Sequence, residues 1–121
     1  MAWKFHSKLP VSYQIVEKLR LDILNGMYEP GTQFPTVRQL AVEASVNPNT
    51  VQKALLQLET EGLLVTQGTV GRFVTEDVQA LESAREVLRR EFVNRVMAEA
   101  AELGITKAAF LDALMRLEEE V

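Results

Sequence analysis

Two strong helix starts, eleven positions apart, constrain the fold more than any other feature of this chain. The first is Thr36, which follows a proline, and the second is Asn47, which precedes Pro48. Thr and Asn side chains accept hydrogen bonds from the free N–H groups of a helix start, and proline suits the first helical position. The sequence therefore predicts one helix over about 36–44 and another that begins at Asn47 and ends at Gly62, with a short turn between them.

Apolar residues recur at three- and four-residue steps in both segments and in a segment before them, as expected for helices with one buried face. The preceding helix is predicted over 11–25, with Ser12 as its N-cap and Gly26 as its stop. The predicted core positions of the three helices are Ile15, Val16, Leu19, Ile23, Leu24, Val37, Leu40, Ala41, Val51, Ala54, Leu55 and Leu58.

Two short apolar runs follow the third helix, at 63–66 and 72–75, and a loop with glycines at 68 and 71 separates them. This pattern predicts a β-hairpin. Three helices followed by a hairpin, with a short turn between the second and third helices, is the order of a winged helix-turn-helix. We therefore expect a mainly α fold with a small β-hairpin and a first domain over residues 1–75.

Residues 76–121 carry a long helical apolar stripe that Gly104 interrupts, and Thr106 can cap a final helix. Two helices joined by a short turn cannot enclose such a stripe, so a second copy of the chain is the expected partner. This segment is predicted to form a dimer through Leu81, Leu88, Phe92, Val96, Leu111, Leu114 and Met115.

The formal net charge of −4 is unevenly distributed. Residues 1–75 hold 7 basic and 6 acidic side chains, a net charge of +1, whereas residues 76–121 hold 6 basic and 11 acidic ones, a net charge of −5. Because the acidity lies on the predicted dimerisation segment, it does not argue against a nucleic-acid partner for the first domain.

Composition argues against several function classes. The chain has no cysteine and only one histidine, His6, which disfavours thiolate catalysis, cysteine-ligated metals and a Ser-His-Asp triad. It has no glycine motif that would cradle a phosphate. We expect no enzyme activity, no cofactor and no metal. No apolar run resembles a signal peptide or reaches the roughly 20 residues of a membrane span, so a cytoplasmic protein without membrane contact is expected.

The start of the third helix is the main candidate for a binding surface. Asn and Gln side chains can bond base edges, and Thr and Lys can reach bases or phosphates. The candidates on this helix are Asn47, Asn49, Thr50, Gln52 and Lys53. A well-capped, solvated helix face would look the same, because Asn and Thr are common at helix starts.

Four further candidates lie outside that helix. Arg38 lies in the first turn of the second helix, where a cation opposes the helix dipole. This unfavourable position suggests that Arg38 binds an external anion, and Thr36 at the start of the same helix is a candidate for the same contact. The β-hairpin is the wing of such a fold, and its residues Gly71 and Arg72 could touch DNA. Arg38 could equally point into water, and the wing glycines could serve only a tight turn.

A motif that spans residues 9–75 resembles the GntR family of bacterial transcription regulators. The residues that carry it are Gly26-x-x-x-Pro30-Gly31-x-x-Phe34-Pro35-Thr36-x-Arg38-x-Leu40-Ala41, then Val46-Asn47-Pro48-Asn49-Thr50-Val51-x-Lys53-Ala54, then Leu58-Glu59-x-Glu61-Gly62. The short segment after the wing is similar to the YtrA-type subfamily, in which two C-terminal helices serve dimerisation. By position, the resemblance implies DNA contacts from Arg38, Asn49, Thr50, Gln52, the neighbouring Lys53 and the wing tip at Gly71.

Two functions remain open at this point. The first is a homodimeric repressor that binds double-stranded operator DNA with an inverted repeat, its half-sites about one helical turn apart. The alternative is a winged helix that binds protein, because a net charge of +1 is low for a DNA-binding domain. A small-molecule effector is also open, in a cleft lined by Trp3, Tyr28, Phe92 or Met97.

Overall fold

The computed structural model describes residues 3–120, except the side chains of 118–120. It is mainly helical with one two-stranded antiparallel sheet, which confirms the predicted fold class. In chain order the elements are α1 (Val11–Leu24), α2 (Val37–Ala44), α3 (Pro48–Thr60), β1 (Leu64–Gln67), β2 (Gly71–Val74), α4 (Val78–Glu102) and α5 (Lys107–Glu120). The chain divides into two compact units within α4, between Ala84 and Arg85.

Both predicted helix starts are confirmed. The Thr36 side chain accepts a hydrogen bond from the backbone N–H of Gln39 at 3.1 Å, and the Gln39 side chain accepts one from the Thr36 N–H at 2.8 Å. This reciprocal capping box satisfies two N–H groups that the helix leaves free. The Asn47 carboxamide accepts the N–H of Asn49 at 2.8 Å, and Pro48 opens α3. The turn between α2 and α3 is therefore specified locally.

Helix α1 begins differently from the prediction. The prediction of Ser12 as N-cap is wrong, because Pro10 occupies that position and makes no side-chain cap bond. Instead, the Gln14 side-chain amide donates to the carbonyls of His6 and Leu9, each at 2.8 Å, and its oxygen accepts the N–H of His6 at 3.1 Å. Gln14 thus holds the preceding segment against the first turn of α1.

The predicted hairpin is confirmed, and each strand lies one residue nearer the loop than the predicted strands at 63–66 and 72–75. Leu64 pairs with Val74, and Gln67 pairs with Gly71 at the loop end. Leu63 makes only one of its two cross-strand hydrogen bonds: its carbonyl accepts the Thr75 N–H at 3.0 Å, whereas its N–H donates to the Leu58 carbonyl at the end of α3, also at 3.0 Å. The tight loop requires a positive φ of 133° at Gly71, a conformation that glycine adopts without strain.

The first unit contains a continuous apolar core. Each of the predicted core residues on α1, α2 and α3 is buried except Val37, which is half-buried. Arg20 adds a polar link between α1 and the end of α3, since its guanidinium donates to both carboxylate oxygens of Glu61, at 2.8 and 2.7 Å, and to Glu17 at 2.6 Å. Packing therefore joins the three helices, and a forked ion pair also links α1 to the end of α3.

The second unit holds the remainder of α4 together with α5. The two predictions at its turn are confirmed: Gly104 has a φ of 74° after α4 ends, and the Thr106 hydroxyl accepts the N–H of Ala109 at 3.1 Å. Among the residues that the structure describes, Ala100 is the one apolar residue of this unit that is fully buried. No helix in residues 3–120 is long and apolar enough to cross a membrane.

Candidate nucleic-acid interface

The exposed face of α3 gathers most of the predicted contact residues. Asn49, Gln52 and Lys53 are exposed and Thr50 is half-exposed. These four side chains border one shallow depression, together with Ser12 of α1 and Leu56. The opposite face of the helix is anchored in the core, so the backbone that carries these side chains is held in place. The depression presents amide, hydroxyl and ammonium groups within a single small area.

Thr36 and Asn47 form the helix caps predicted for them, and their DNA contacts stay a prediction. Each side-chain oxygen accepts a backbone hydrogen bond at the start of its own helix. Capping engages the side-chain oxygens, whereas the Nδ2 donors of Asn47 and the hydroxyl hydrogen of Thr36 take no part in the cap bonds. Their contribution is to orient the first turns of α2 and α3, where Arg38 and Asn49 project outward.

Four basic side chains of the first unit fall into two groups. Arg38 and Lys53 are exposed and have no ion-pair partner among the described side chains of residues 3–117. Arg20 and Arg72 are half-buried, and each forms an ion pair with a carboxylate of α3 or its C-terminal end. Because an unpaired exposed cation keeps its charge available to an external phosphate, Arg38 and Lys53 are the better candidates for anion contacts.

Arg72 of the wing, a predicted DNA contact, forms hydrogen bonds within the protein, and its contact with DNA stays a prediction. Its guanidinium Nε donates to Glu59 Oε1, and the Thr66 hydroxyl donates to the same oxygen at 2.8 Å. Its Nη2 donates to Gln52 Oε1 at 3.4 Å. The hydrogen bond from Arg72 lowers the pKa of the Glu59 carboxyl below its usual value. Strand β2 is thereby tied to the face of α3.

The role of Glu59 was not predicted from the sequence, because its partner Arg72 lies 13 residues further along the chain, beyond β1 and the loop. A weak signal existed: Thr66 and Arg72 are paired in the hairpin register. Gln33 also escaped notice. Its side chain donates to the Val70 carbonyl at 3.0 Å and lies beside Gly71, where an added Cβ would come within 3.1 Å of it. Gly71 therefore has a packing role as well as a conformational one.

The residues predicted for a dimer interface also separate into groups. Leu81 is 2% exposed and belongs to the first unit, so it has no surface to offer a partner. Leu88 and Val96 are half-buried. The exposed members are Phe92 at 56%, Leu111 at 51%, Leu114 at 45% and Met115 at 65%.

The residues considered for an effector cleft are divided between the units. Trp3 and Tyr28 belong to the first unit, and Phe92 and Met97 belong to the second. Trp3 packs near Phe5, with ring centroids 6.3 Å apart, and the Lys18 ammonium lies 4.9 Å from the Trp3 ring. No group of His, Asp or Glu that could hold a metal ion occurs in the described part of the chain.

Comparison with known proteins identifies the family. The sequence pattern described as "Bacterial regulatory proteins, gntR family" matches residues 11–74. The chain is 31% identical over 100 residues to the HTH-type transcriptional repressor YtrA of Bacillus subtilis, covering 82% of this chain and 77% of that protein.

Solved structures agree with this assignment. A GntR family transcriptional regulator from Listeria monocytogenes superimposes with a TM-score of 0.87 at 29% identity, over 93% of this chain and 98% of that one. The structure of AraR(DBD) in complex with operator ORX1 matches with a TM-score of 0.56 at 28% identity, over 60% of this chain and 93% of that one. The chain therefore belongs to the GntR family of bacterial regulatory proteins, and it is a DNA-binding winged helix-turn-helix transcriptional regulator rather than an enzyme.

Proposed function

We propose that the protein is a homodimeric repressor that binds an inverted-repeat operator in the bacterial cytoplasm, with α3 of each copy in the major groove. The observation that carries the proposal is the exposed polar face of α3, where Asn49, Gln52 and Lys53 meet around one depression. Amide side chains of this kind bond base edges, and the major groove is wide enough to admit a helix.

The phosphate contacts are assigned to Arg38 and Lys53, and to Thr50, which borders the same depression as Lys53. Both cations are exposed and unpaired in the described residues, so no internal ion pair has to break when DNA binds. The similarity to a repressor and to a domain in complex with its operator supports repression by operator binding.

The homodimer is proposed from the second unit. Phe92, Leu111, Leu114 and Met115 are all at least 45% exposed in the single chain. Apolar side chains at this density on a two-helix unit are stabilised when a second copy covers them. Two copies would double the number of phosphate contacts, which offsets the low charge of a single winged domain.

The direct test is titration of fluorescent DNA from the region upstream of the protein's own operon, at several salt concentrations. We expect sequence-selective binding whose affinity falls steeply with salt, since phosphate contacts release counterions. Binding that is equal for upstream and scrambled DNA at every salt concentration would favour the protein-binding alternative.

Replacement of Arg38 tests the assigned contacts. Arg38→Ala should weaken operator binding by about tenfold and lower the salt slope by about one contact, because one phosphate contact is lost. Its melting temperature should stay unchanged, since the side chain is exposed and unpaired. Arg90→Ala, which removes an equal charge from an exposed side chain of α4, is the matched control and should bind as the wild type does.

A further inference from the structure

We propose that Arg72 is a positioning residue that selects which bases Gln52 reads, by holding the carboxamide oxygen of Gln52 and leaving its N–H donors for the DNA. The inference rests on the proposed function, because it presupposes that α3 lies against base edges. It goes further by assigning Arg72 of the wing and Gln52 of α3 as a pair that determines base specificity.

The geometry begins with the restraint on Arg72. Its side chain is 18% exposed and forms an ion pair with Glu59, whose side chain is 24% exposed. The Thr66 hydroxyl donates to the same carboxylate oxygen at 2.8 Å. The guanidinium is therefore fixed by an acid of α3 and a neighbouring strand, and it cannot turn toward solvent without breaking a charge-assisted hydrogen bond.

The fixed guanidinium has donors left over. Its Nε is committed to Glu59, and its Nη2 points to Gln52 Oε1 at 3.4 Å. Arginine carries only donors, so the atom of Gln52 that faces it must be the oxygen. The planar fork of arginine presents the two donors in fixed directions, which the single ammonium of lysine cannot reproduce.

The consequence for base reading follows from the chemistry of the carboxamide. An unrestrained glutamine can bond adenine in a bidentate manner, accepting from N6 and donating to N7. With its oxygen directed at Arg72, Gln52 presents the two N–H donors of Nε2 outward. These donors match acceptors in the major groove, such as N7 and O6 of guanine, and they have no acceptor to bond on cytosine N4. Guanine offers two such acceptors, whereas adenine and thymine offer one each and cytosine offers a donor. Gln52 is thus biased toward guanine at its base pair.

The experiment compares base preference in a library of operator half-sites for four full-length proteins: wild type, Gln52→Ala, Arg72→Met and the double variant. We expect the wild type to prefer guanine over cytosine at one base pair by about tenfold, and Gln52→Ala to lose this preference. Arg72→Met should relax preference at the same base pair and at no other. In the Gln52→Ala background, Arg72→Met should cause no further change in the base profile.

Two further measurements separate positioning from other roles. A purely structural role of Arg72 would lower the melting temperature and weaken binding to all sequences alike, without a change in base profile. If Arg72 contacted a phosphate directly, Arg72→Met would lower the salt slope, and Arg72→Lys would restore binding because it keeps the charge. We expect Arg72→Lys to keep the salt slope and the fold but not the guanine preference, so it also serves as the second variant if Arg72→Met folds poorly.

The failures are distinguishable. A wild type that binds without any sequence preference overturns the proposed function and this inference together. A selective wild type whose profile is unchanged by Arg72→Met and Arg72→Lys overturns only the inference. The inference alone also fails if Arg72→Met alters the base profile equally with and without Gln52.

Discussion

The two units of the chain differ in how they use their apolar residues. In the first unit α1, α2, α3, the hairpin and Leu81 enclose a core of fully buried side chains. In the second unit Ala100 is the one fully buried apolar residue among those described, whereas Phe92, Leu111 and Met115 are more than half exposed. Apolar patterning in a sequence is similar in both units, yet only the first has enough surrounding elements to bury it.

This difference implies a division of labour. A unit with its own core holds the α3 face in a defined geometry, which base recognition requires. A unit with exposed apolar side chains gains stability when another surface covers them. Three experiments can test this contrast, and they are described from the largest expected effect to the smallest.

A charge in the exposed apolar face of the second unit should have the largest effect. Leu111→Asp should dissociate the proposed homodimer and lower affinity for an inverted repeat by roughly 10²- to 10⁴-fold, because the second half-site no longer binds intramolecularly. Sedimentation velocity and operator titration measure the two effects. Asn94→Asp adds the same charge at an exposed polar position and should remain dimeric. If the Leu111→Asp protein remained dimeric, the dimer interface would not include this face of α5.

A cavity in the first unit should act on folding instead. Leu55 is 0% exposed, so Leu55→Ala should lower the free energy of unfolding by about 2–5 kcal/mol, through lost burial and the cavity left behind. Urea denaturation of the two variants Leu55→Ala and Leu114→Ala measures the contrast. Leu114 is 45% exposed, so its replacement should change dimerisation more than the unfolding of the first unit. If both variants lowered the free energy of unfolding equally, the contrast between a buried core in the first unit and an exposed apolar face in the second would be wrong.

Acid should produce a smaller effect confined to the first unit. The pKa values of Glu59 and Glu61 are lowered from 4.5 by hydrogen bonds from Arg72 and Arg20. A carboxyl whose folded-state pKa is lowered stabilises the fold fully above its unfolded pKa, and this stabilisation is lost as the pH falls below about 4.5 through the folded-state value.

Unfolding curves between neutral pH and pH 3 therefore measure how much the two carboxylates stabilise the fold, and the loss should begin near a pH of about 4.5. Glu61→Gln should be less stable than the wild type at neutral pH and lose less stability on acidification. Glu102→Gln, on an exposed residue of the second unit, should follow the wild-type curve. A Glu61→Gln curve parallel to that of the wild type would show that the Arg20 pair contributes nothing to the pH dependence.

Most helix boundaries in both units were predictable because their sequence signals are local. Thr36 and Asn47 cap their own helices through hydrogen bonds that span two or three residues, and Gly104 with Thr106 marks the later turn in the same way. Helix α1 shows the limit: Ser12 suited a cap by residue type, but Pro10 takes the position and Gln14 holds the incoming chain. The candidate face of α3 was predictable because helical periodicity separates buried from exposed positions.

By itself, then, the sequence determined the element order, both helix caps of the helix-turn-helix and the set of side chains on the outer face of α3. Only the tertiary structure decided which basic residues stay available: Arg38 and Lys53 remain unpaired in the described residues, whereas Glu59 engages Arg72. It also decided that Leu81 belongs to the core of the first unit. The reason is that capping and periodicity act over a few neighbouring residues, whereas an ion pair between α3 and β2 depends on how the hairpin folds back on the helix.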